Sequence, residues 1–233
     1  MSRRPVALEW LRLAPSKPEF EPDTRWRLVG ARPCLDFVNT VGGRDDEDRI
    51  RREDLPDYDS LLRWSAFASL VAPSEVGRLR EQARRSGATA GRVLRRAVRL
   101  REAVYRIGKA LLGGEPPGEA ELQVLDRELR EARKHQRLVA RAERLESDWI
   151  RDPKRLDRVL WPIALSAASV FGSEEVSLVK QCGGPSCGWL FLDTTRNHSR
   201  QWCRMADCGN VAKVRRFRTR ARRKRARGRA VAW

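Results

Sequence analysis

The chain has 233 residues, of which 41% are hydrophobic and 34% charged, and its formal net charge is +18. The apolar share is enough for a hydrophobic core. The sequence contains no run of ~18 apolar residues, which is the length that a membrane-spanning helix needs. The excess of positive charge predicts a polyanionic partner, nucleic acid more often than an anionic membrane surface.

Residues 1–24 are predicted to form an N-terminal tail. Glu9, Arg12 and Lys17 interrupt the apolar run that a signal peptide would need, so we do not expect one. The expected location is therefore cytoplasmic, where thiols stay reduced. Paired cysteines in that setting favour a metal over a disulfide.

Residues 25–180 are predicted to form one mostly helical α+β domain. The segment RWRLVGARPCLDFVNTVGGR alternates in part and predicts one or two strands. Helices are predicted in YDSLLRWSAFASLVA, in SEVGRLREQARRSG after Pro73, from about Thr89 to Leu112, and from Pro116 to near Lys134.

The end of this domain contains three further predicted elements. HQRLVARAERLESDWI predicts a hairpin, DPKRLDRVLWPIALSAASVFG a final amphipathic helix, and VSLVK a strand. The chain has no glycine-rich phosphate loop, no G-x-S-x-G motif and only two histidines, His135 and His198. We therefore expect no enzyme activity, and we interpret Cys34 as a small buried hydrophobe.

Asp36 and Asn39 interrupt the apolar stretch CLDFVNT. A buried polar pair of this kind must be hydrogen-bonded. One interpretation is that the pair fastens a turn, and the other is that it lines a pocket. Under the second interpretation the candidate ligand-binding residues are Asp36, Asn39 and Trp64.

Four of the five cysteines form two pairs with the spacing C-x4-C-x15-C-x4-C, at Cys182, Cys187, Cys203 and Cys208. Two short-spaced pairs are typical of a tetrahedral zinc site. Gly183, Gly184 and Pro185 supply the sharp turn that the first pair needs. We predict one Zn²⁺ per chain; buried structural thiols or a disulfide pair are the alternative.

Residues 181–221 are predicted to form a treble-clef zinc finger. Trp189, Phe191 and Trp202 are strand formers and predict a hairpin between the two ligand pairs, followed by a helix after Cys203. The apolar residues of this helix are predicted to pack on the hairpin; they are Val211, Val214, Phe217 and Ala221. The residues after Ala221 are predicted to be a basic flexible tail, 222–233.

The helix is strongly basic, because 11 of the 17 residues from Lys213 to Arg229 are Lys or Arg and none is acidic. Such a helix fits a run of phosphates, although a solvated charge run is the plainer interpretation. The candidate nucleic-acid-binding residues are Asn210, Lys213, Arg215, Arg216, Arg220, Arg223 and Arg227. Asn210 and Lys213 are the candidates for base edges.

CLDFVNT near the N-terminus and WCRMADCGN near the C-terminus resemble the family of bacterial stress-induced transcription regulators that joins an ABATE domain to a CGNR zinc finger. The resemblance implies that the finger binds DNA and that the ABATE domain binds an unknown ligand. It also implies that Cys182, Cys187, Cys203 and Cys208 are the metal ligands. Val211 stands where the family motif has arginine.

The resulting hypothesis is a zinc-dependent, DNA-binding transcription regulator that responds to a ligand or to stress. Its expected partners are double-stranded DNA and an unidentified small molecule, a homodimer is left open, and no membrane partner is expected. An RNA-binding or ribosome-associated zinc protein is the alternative. A metal-dependent nuclease comes third, because four cysteines leave no open position on the zinc.

Overall fold

The computed structural model describes residues 26–45, 52–150, 152 and 154–230, so the predicted tail 1–24 lies outside the described residues. The α-helices are α1 Pro33–Val38, α2 Tyr58–Phe67, α3 Pro73–Arg85, α4 Gly87–Leu112, α5 Glu119–Lys134, α6 Trp161–Phe171 and α7 Asn210–Ala230. The strands are β1 Val41–Gly42, β2 Arg52–Glu53, β3 Gln136–Arg141, β4 Arg144–Trp149, β5 Val179–Gln181 and β6 Leu190–Leu192. This confirms the mostly helical α+β class with a few short strands.

We call the described residues from 26 to 178 the helical body and residues 179–230 the finger. The strands form three separate antiparallel pairs, β1–β2, β3–β4 and β5–β6. The predicted hairpin after α5 is confirmed, with Gln136 opposite Trp149 and Arg141 opposite Arg144. Within the described residues no helix is long and apolar enough to cross a membrane.

Helix α4 is the centre of the helical body and packs on α1, α2, α3, α5 and α6. Its buried residues recur every three or four positions, as one face of a helix requires; they include Ala90, Val93, Ala97, Leu100, Val104 and Ile107. Helix ends follow local signals: Pro73 opens α3, and the Asp57 carboxylate accepts a hydrogen bond from Ser60 N at 2.7 Å.

The strand prediction for CLDFVNT was wrong, because this stretch forms helix α1. Pro33 occupies its first turn, where proline is tolerated. Four apolar residues in α1 are buried on every side, so neither a period of two nor of 3.6 is visible. Cys34 is one of them, and burial raises the pKa of its thiol to about 12, which agrees with an inert core residue.

The finger is not separated from the core of the helical body. Val179, Leu190 and Leu192 belong to the same buried apolar cluster as α1, α4 and α6. A Cβ added at Gly108 of α4 would lie 2.8 Å from Leu190 Cδ1, so a larger residue there would force the buried Leu190 side chain to move. The hairpin β5–β6 therefore completes the core.

Candidate metal centre and nucleic-acid interface

The four predicted ligands come together in one cluster. The Sγ atoms of Cys182, Cys187, Cys203 and Cys208 all lie within 4.8 Å of one another. Sγ of Cys203 is 3.8 Å from that of Cys187 and 3.7 Å from that of Cys208. Tetrahedral Zn–S bonds of ~2.3 Å require sulfur–sulfur edges of about 3.8 Å. The cluster is thus positioned to bind one metal ion, and its donor set and size fit Zn²⁺.

The first ligand pair lies at the tip of the β5–β6 hairpin, in a tight turn that we call the knuckle (182–188). A Cβ at Gly184 would lie 2.6 Å from Sγ of Cys208, so no other residue fits there. Ser186 and Gly188 both adopt positive φ, near 65°, which glycine tolerates best. The sequence thus forms a turn that brings the sulfurs of Cys182 and Cys187 together.

The second ligand pair leads into α7. Cys203 follows a loop without regular structure, and Cys208 lies in a π-type turn, Met205–Gly209, that continues into the helix. The predicted hairpin between the two pairs was wrong in its position. Strand β6 pairs backwards with β5 across the first pair, with Val179 opposite Leu192. The treble-clef assignment stays a prediction.

Backbone N–H groups support negative charge on the sulfurs. Cys203 N and Gly184 N donate to Sγ of Cys182 at 3.2 and 3.4 Å. The neighbouring thiols of Cys187 and Cys203, followed by these N–H groups, lower the pKa of Cys182 to about 2. The pKa of Cys187 is raised, first by its hydrogen bond with Cys182. The contacts within the cluster thus favour a thiolate on Cys182, and a cation among the sulfurs is needed for all four to ionise. Four thiolates leave a tetrahedral ion no open position.

The helical body holds the knuckle by backbone contacts. Arg44 N donates to Cys187 O at 3.3 Å, Tyr105 Oη donates to Gly188 O at 3.1 Å, and Trp189 Nε1 donates to Val41 O at 2.7 Å. The buried Arg44 guanidinium stacks 4.1 Å from the Tyr105 ring centre. The body therefore positions Cys187 and the residues after it, in addition to the hairpin itself.

The three candidate ligand-binding residues lie in the protein interior. Asn39 makes two hydrogen bonds to Leu190 of β6: Nδ2 donates to its O at 2.8 Å, and Oδ1 accepts from its N at 3.0 Å. Asp36 Oδ1 accepts from Gly30 N at 2.7 Å, and Trp64 packs on Phe37. These contacts are the ones expected of residues that fasten the backbone, the first interpretation of the pair.

The packing predicted for the apolar residues of α7 was wrong. Val211, Val214 and Phe217 are 53%, 49% and 74% exposed. The hairpin cannot receive them, because Leu190, Phe191 and Leu192 are already buried. The side chain of Ala221 is outside the described residues, and the helix continues past it to Ala230.

The candidate nucleic-acid-binding residues divide between two parts of α7. Asn210 is exposed at its start, and its Nδ2 donates to Ala206 O at 3.0 Å. Lys213, Arg215, Arg216 and Arg220 line a cleft between α7 and the loop 198–202. The side chains of Arg223 and Arg227 are not described, although both positions belong to the helix.

The cleft carries positive charge on both walls, and no described acidic side chain lines it. The wall opposite α7 contributes Lys180 and Arg200, which the sequence analysis missed. Lys180 is paired with Asp193 at 2.7 Å, and Arg200 donates to Trp202 O and Val29 O, both at 3.0 Å. Both therefore shape the wall. Their isolated positions in the sequence carried no signal of this role.

The cations of α7 differ from those of the opposite wall. Among the described residues, Lys213, Arg215, Arg216 and Arg220 make no ion pair with an acidic side chain. Arg216 contacts the Trp202 ring, with its Cζ 5.7 Å from the ring centre, and all four are exposed. Their charges are available to an external anion.

Two family models match the chain. The ABATE family, described as "Putative stress-induced transcription regulator", matches residues 31–174. The CGNR zinc finger matches residues 179–221. No curated protein sequence matches the chain.

Proposed function

The chain belongs to the ABATE family and ends in a CGNR zinc finger, and from this premise we propose that it is a zinc-dependent transcription regulator that binds double-stranded DNA. The observation that carries the proposal is the set of exposed cations on α7 that pair with no described acidic side chain, beside a cleft that no such side chain lines. Zinc fixes the start of that helix. A regulator of this kind would act in the cytoplasm and would need no catalytic residue.

A nucleic acid explains the charge of α7 better than solvent does. Among the described helices and strands, α7 packs mainly on the turn that precedes it, so tertiary contacts do little to stabilise it. Like charges three and four residues apart also destabilise a helix. Phosphates relieve this repulsion, since each neutralised phosphate releases a condensed counterion.

The dimensions of α7 favour duplex DNA. At ~1.5 Å per residue its 21 residues span about 31 Å, and a major groove of ~12 Å width admits one helix. In that position one phosphate strand would lie in the cleft, against Lys213, Arg216 and Arg220. Arg218, which does not line the cleft, would lie towards the other strand.

The alternative partner is single-stranded RNA, and Phe217 favours it. This ring is highly exposed beside Arg216 and Arg220, and an exposed aromatic ring among cations can stack on an unpaired base. Trp202 is less suited to stacking, because it is half-buried beside the Arg216 guanidinium. We rank duplex DNA first because the cations extend far beyond this one ring.

The test is the affinity of the full chain for a duplex DNA, measured by fluorescence anisotropy across a salt series. If Arg216 and Arg220 contact phosphates, replacing both by alanine should lower the salt slope by about 2, since each lost contact removes ~1. The matched control replaces Arg84 and Arg85 of α3, which are exposed and pair with Glu81. This control removes the same charge from the helical body and should leave the slope unchanged.

Two outcomes would contradict the proposal. An unchanged slope in the Arg216→Ala, Arg220→Ala variant would mean that this part of α7 is a solvated surface. Tighter binding to single-stranded RNA of the same length, at the same salt concentration, would favour the alternative. A cleavage assay with Mg²⁺ checks the nuclease hypothesis in the same samples, and we expect no cleavage.

A further inference from the structure

The outward side of α7 carries an apolar stripe, defined here as Val211, Val214 and Phe217. Residues three apart are displaced by about 60° around a helix, so the three side chains lie on one side. Val211 and Val214 do not line the cleft, whereas Phe217 lines it together with Arg216 and Thr219. Val211 and Val214 are therefore directed away from the cleft, on the side that would enter a groove, and Phe217 lies where the stripe meets the cleft.

The stripe needs a partner, because about half or more of each side chain is exposed. A second copy of α7 is a poor partner, since from Asn210 to Ala230 the helix has no acidic residue to offset the repulsion between copies. A membrane is also a poor partner, since interfacial helices bury a broad apolar face and basic residues here border the stripe. Arg215 borders it, and Arg218, seven residues after Val211, lies on the same side as the stripe.

Cations beside an apolar stripe match one feature of duplex DNA. Phosphates form both walls of the major groove, and the C5-methyl group of thymine is the apolar group on its floor. We propose that Val211, Val214 and Phe217 read thymine through this methyl group, which makes the stripe the element that determines sequence preference. The inference rests on the proposed function, because it assumes that α7 enters the major groove.

Val211 gives the inference an additional argument. It occupies the fourth position of the motif for which the CGNR finger is named, after Cys208, Gly209 and Asn210. An arginine side chain reads guanine through two hydrogen bonds, whereas an apolar side chain can contact only the thymine methyl. If this position lies on the groove floor, an arginine there would favour guanine, whereas Val211 would favour thymine.

The experiment compares two duplex polymers that differ only in the methyl group, poly(dA-dT) and poly(dA-dU). We expect wild-type protein to bind the thymine polymer more tightly, by about fourfold for each methyl group that is buried. Replacing Val211, Val214 and Phe217 together by alanine should bring the ratio of the two affinities close to one. The salt slope should stay unchanged, because no cation is removed.

The Arg216→Ala, Arg220→Ala variant is the matched control. It should weaken binding to both polymers equally and keep the ratio of the two affinities. Zinc content, measured for each variant, verifies that the finger is intact; since the stripe is exposed, we expect full occupancy.

The outcomes separate this inference from the proposed function. Equal affinity of wild-type protein for the two polymers, or a ratio that survives in the alanine variant, would overturn the reading of thymine and leave DNA binding in place. Failure to bind any duplex would overturn the proposed function itself. A dimer, or binding to anionic vesicles, that is lost in the alanine variant would show that the stripe has a different partner and would also overturn the inference.

Discussion

The two halves of the finger differ in what surrounds them. The hairpin half, with β5, the knuckle and β6, is held by the helical body through Asn39, Arg44 and Tyr105. The helix half, α7, contacts mainly the turn that precedes it. One metal ion joins these halves, because the knuckle supplies two of the four sulfurs and the segment that leads into α7 supplies the other two, from Cys203 and Cys208.

The difference shows how this finger is organised. The hairpin half has apolar residues and satisfied backbone groups, and it is buried as a core element would be. The helix half exposes cations and apolar side chains together, which is typical of a binding surface. A ligand bound to the body would reach the metal site through the knuckle, since the body contacts Cys187 and Gly188.

The comparison is tested most strongly by two truncations. A chain that ends at Lys180 should fail to unfold cooperatively, because it loses Leu190 and Leu192, worth ~2–5 kcal/mol each, and leaves Asn39 without its partner. A chain that ends at Ala212 keeps the four cysteines and should melt within a few degrees of the full protein. Circular dichroism during heating measures both.

The expected unfolding of the chain that ends at Lys180 differs from what the sequence alone predicts. A domain boundary near residue 180 predicts that the preceding residues fold alone without zinc. If the chain that ends at Lys180 melts in one sharp transition at a temperature near that of the full protein, the hairpin half is an accessory, and the difference between the two halves is smaller than the contacts indicate.

The next test removes one zinc ligand. Replacing Cys203 by serine should abolish metal binding and destabilise the whole chain by more than about 3 kcal/mol, because structural zinc contributes directly to folding free energy. Elemental analysis gives the zinc content, and urea unfolding followed by tryptophan fluorescence gives the stability. Because the hairpin completes the body core, a single transition should shift as a whole.

Cys34→Ala is the control for this experiment. Cys34 is buried in the body and does not belong to the sulfur cluster, so the variant should lose stability and still hold one zinc per chain. A Cys203→Ser protein that keeps a full equivalent of zinc would contradict the assignment of the four-cysteine site.

The sequence predicted the metal site and most helices because their signals are local. The spacing of the cysteines, Pro73, and the glycines after Leu112 identify their elements without knowledge of the fold. The strand prediction for CLDFVNT was wrong, because burial on all sides removes the periodicity that distinguishes a helix from a strand. The prediction that the apolar residues of α7 pack on the hairpin was wrong for a different reason. Apolar residues at helical spacing predict a buried face, and nothing in that spacing shows that Leu190 and its neighbours are already covered.

The smallest expected effect concerns Asp36, at the junction of the two regions. Its carboxylate accepts from Gly30 N, and Gly30 O accepts from Leu192 N of β6 at 3.0 Å. Burial raises the pKa of Asp36 to about 7, against an ordinary value of 3.8, although hydrogen bonds from Gly30 and Val29 and the charge of Arg200 act in the opposite direction. Between about pH 4 and pH 7 the folded chain therefore holds a proton that the unfolded chain releases.

The sign of the pH dependence follows from this difference. Stability should fall as the pH rises through this window, because the folded state must then bury a charge. An Asp36→Asn variant carries no such charge, so its stability relative to wild type should increase from pH 4 to pH 8. At about 1.4 kcal/mol per unit of pKa, a rise of about 3 units sets an upper limit of about 4 kcal/mol on this relative gain. Urea unfolding of both proteins at several pH values measures it, and a difference that stays constant with pH would mean that Asp36 is already ionised at pH 4 in the folded chain.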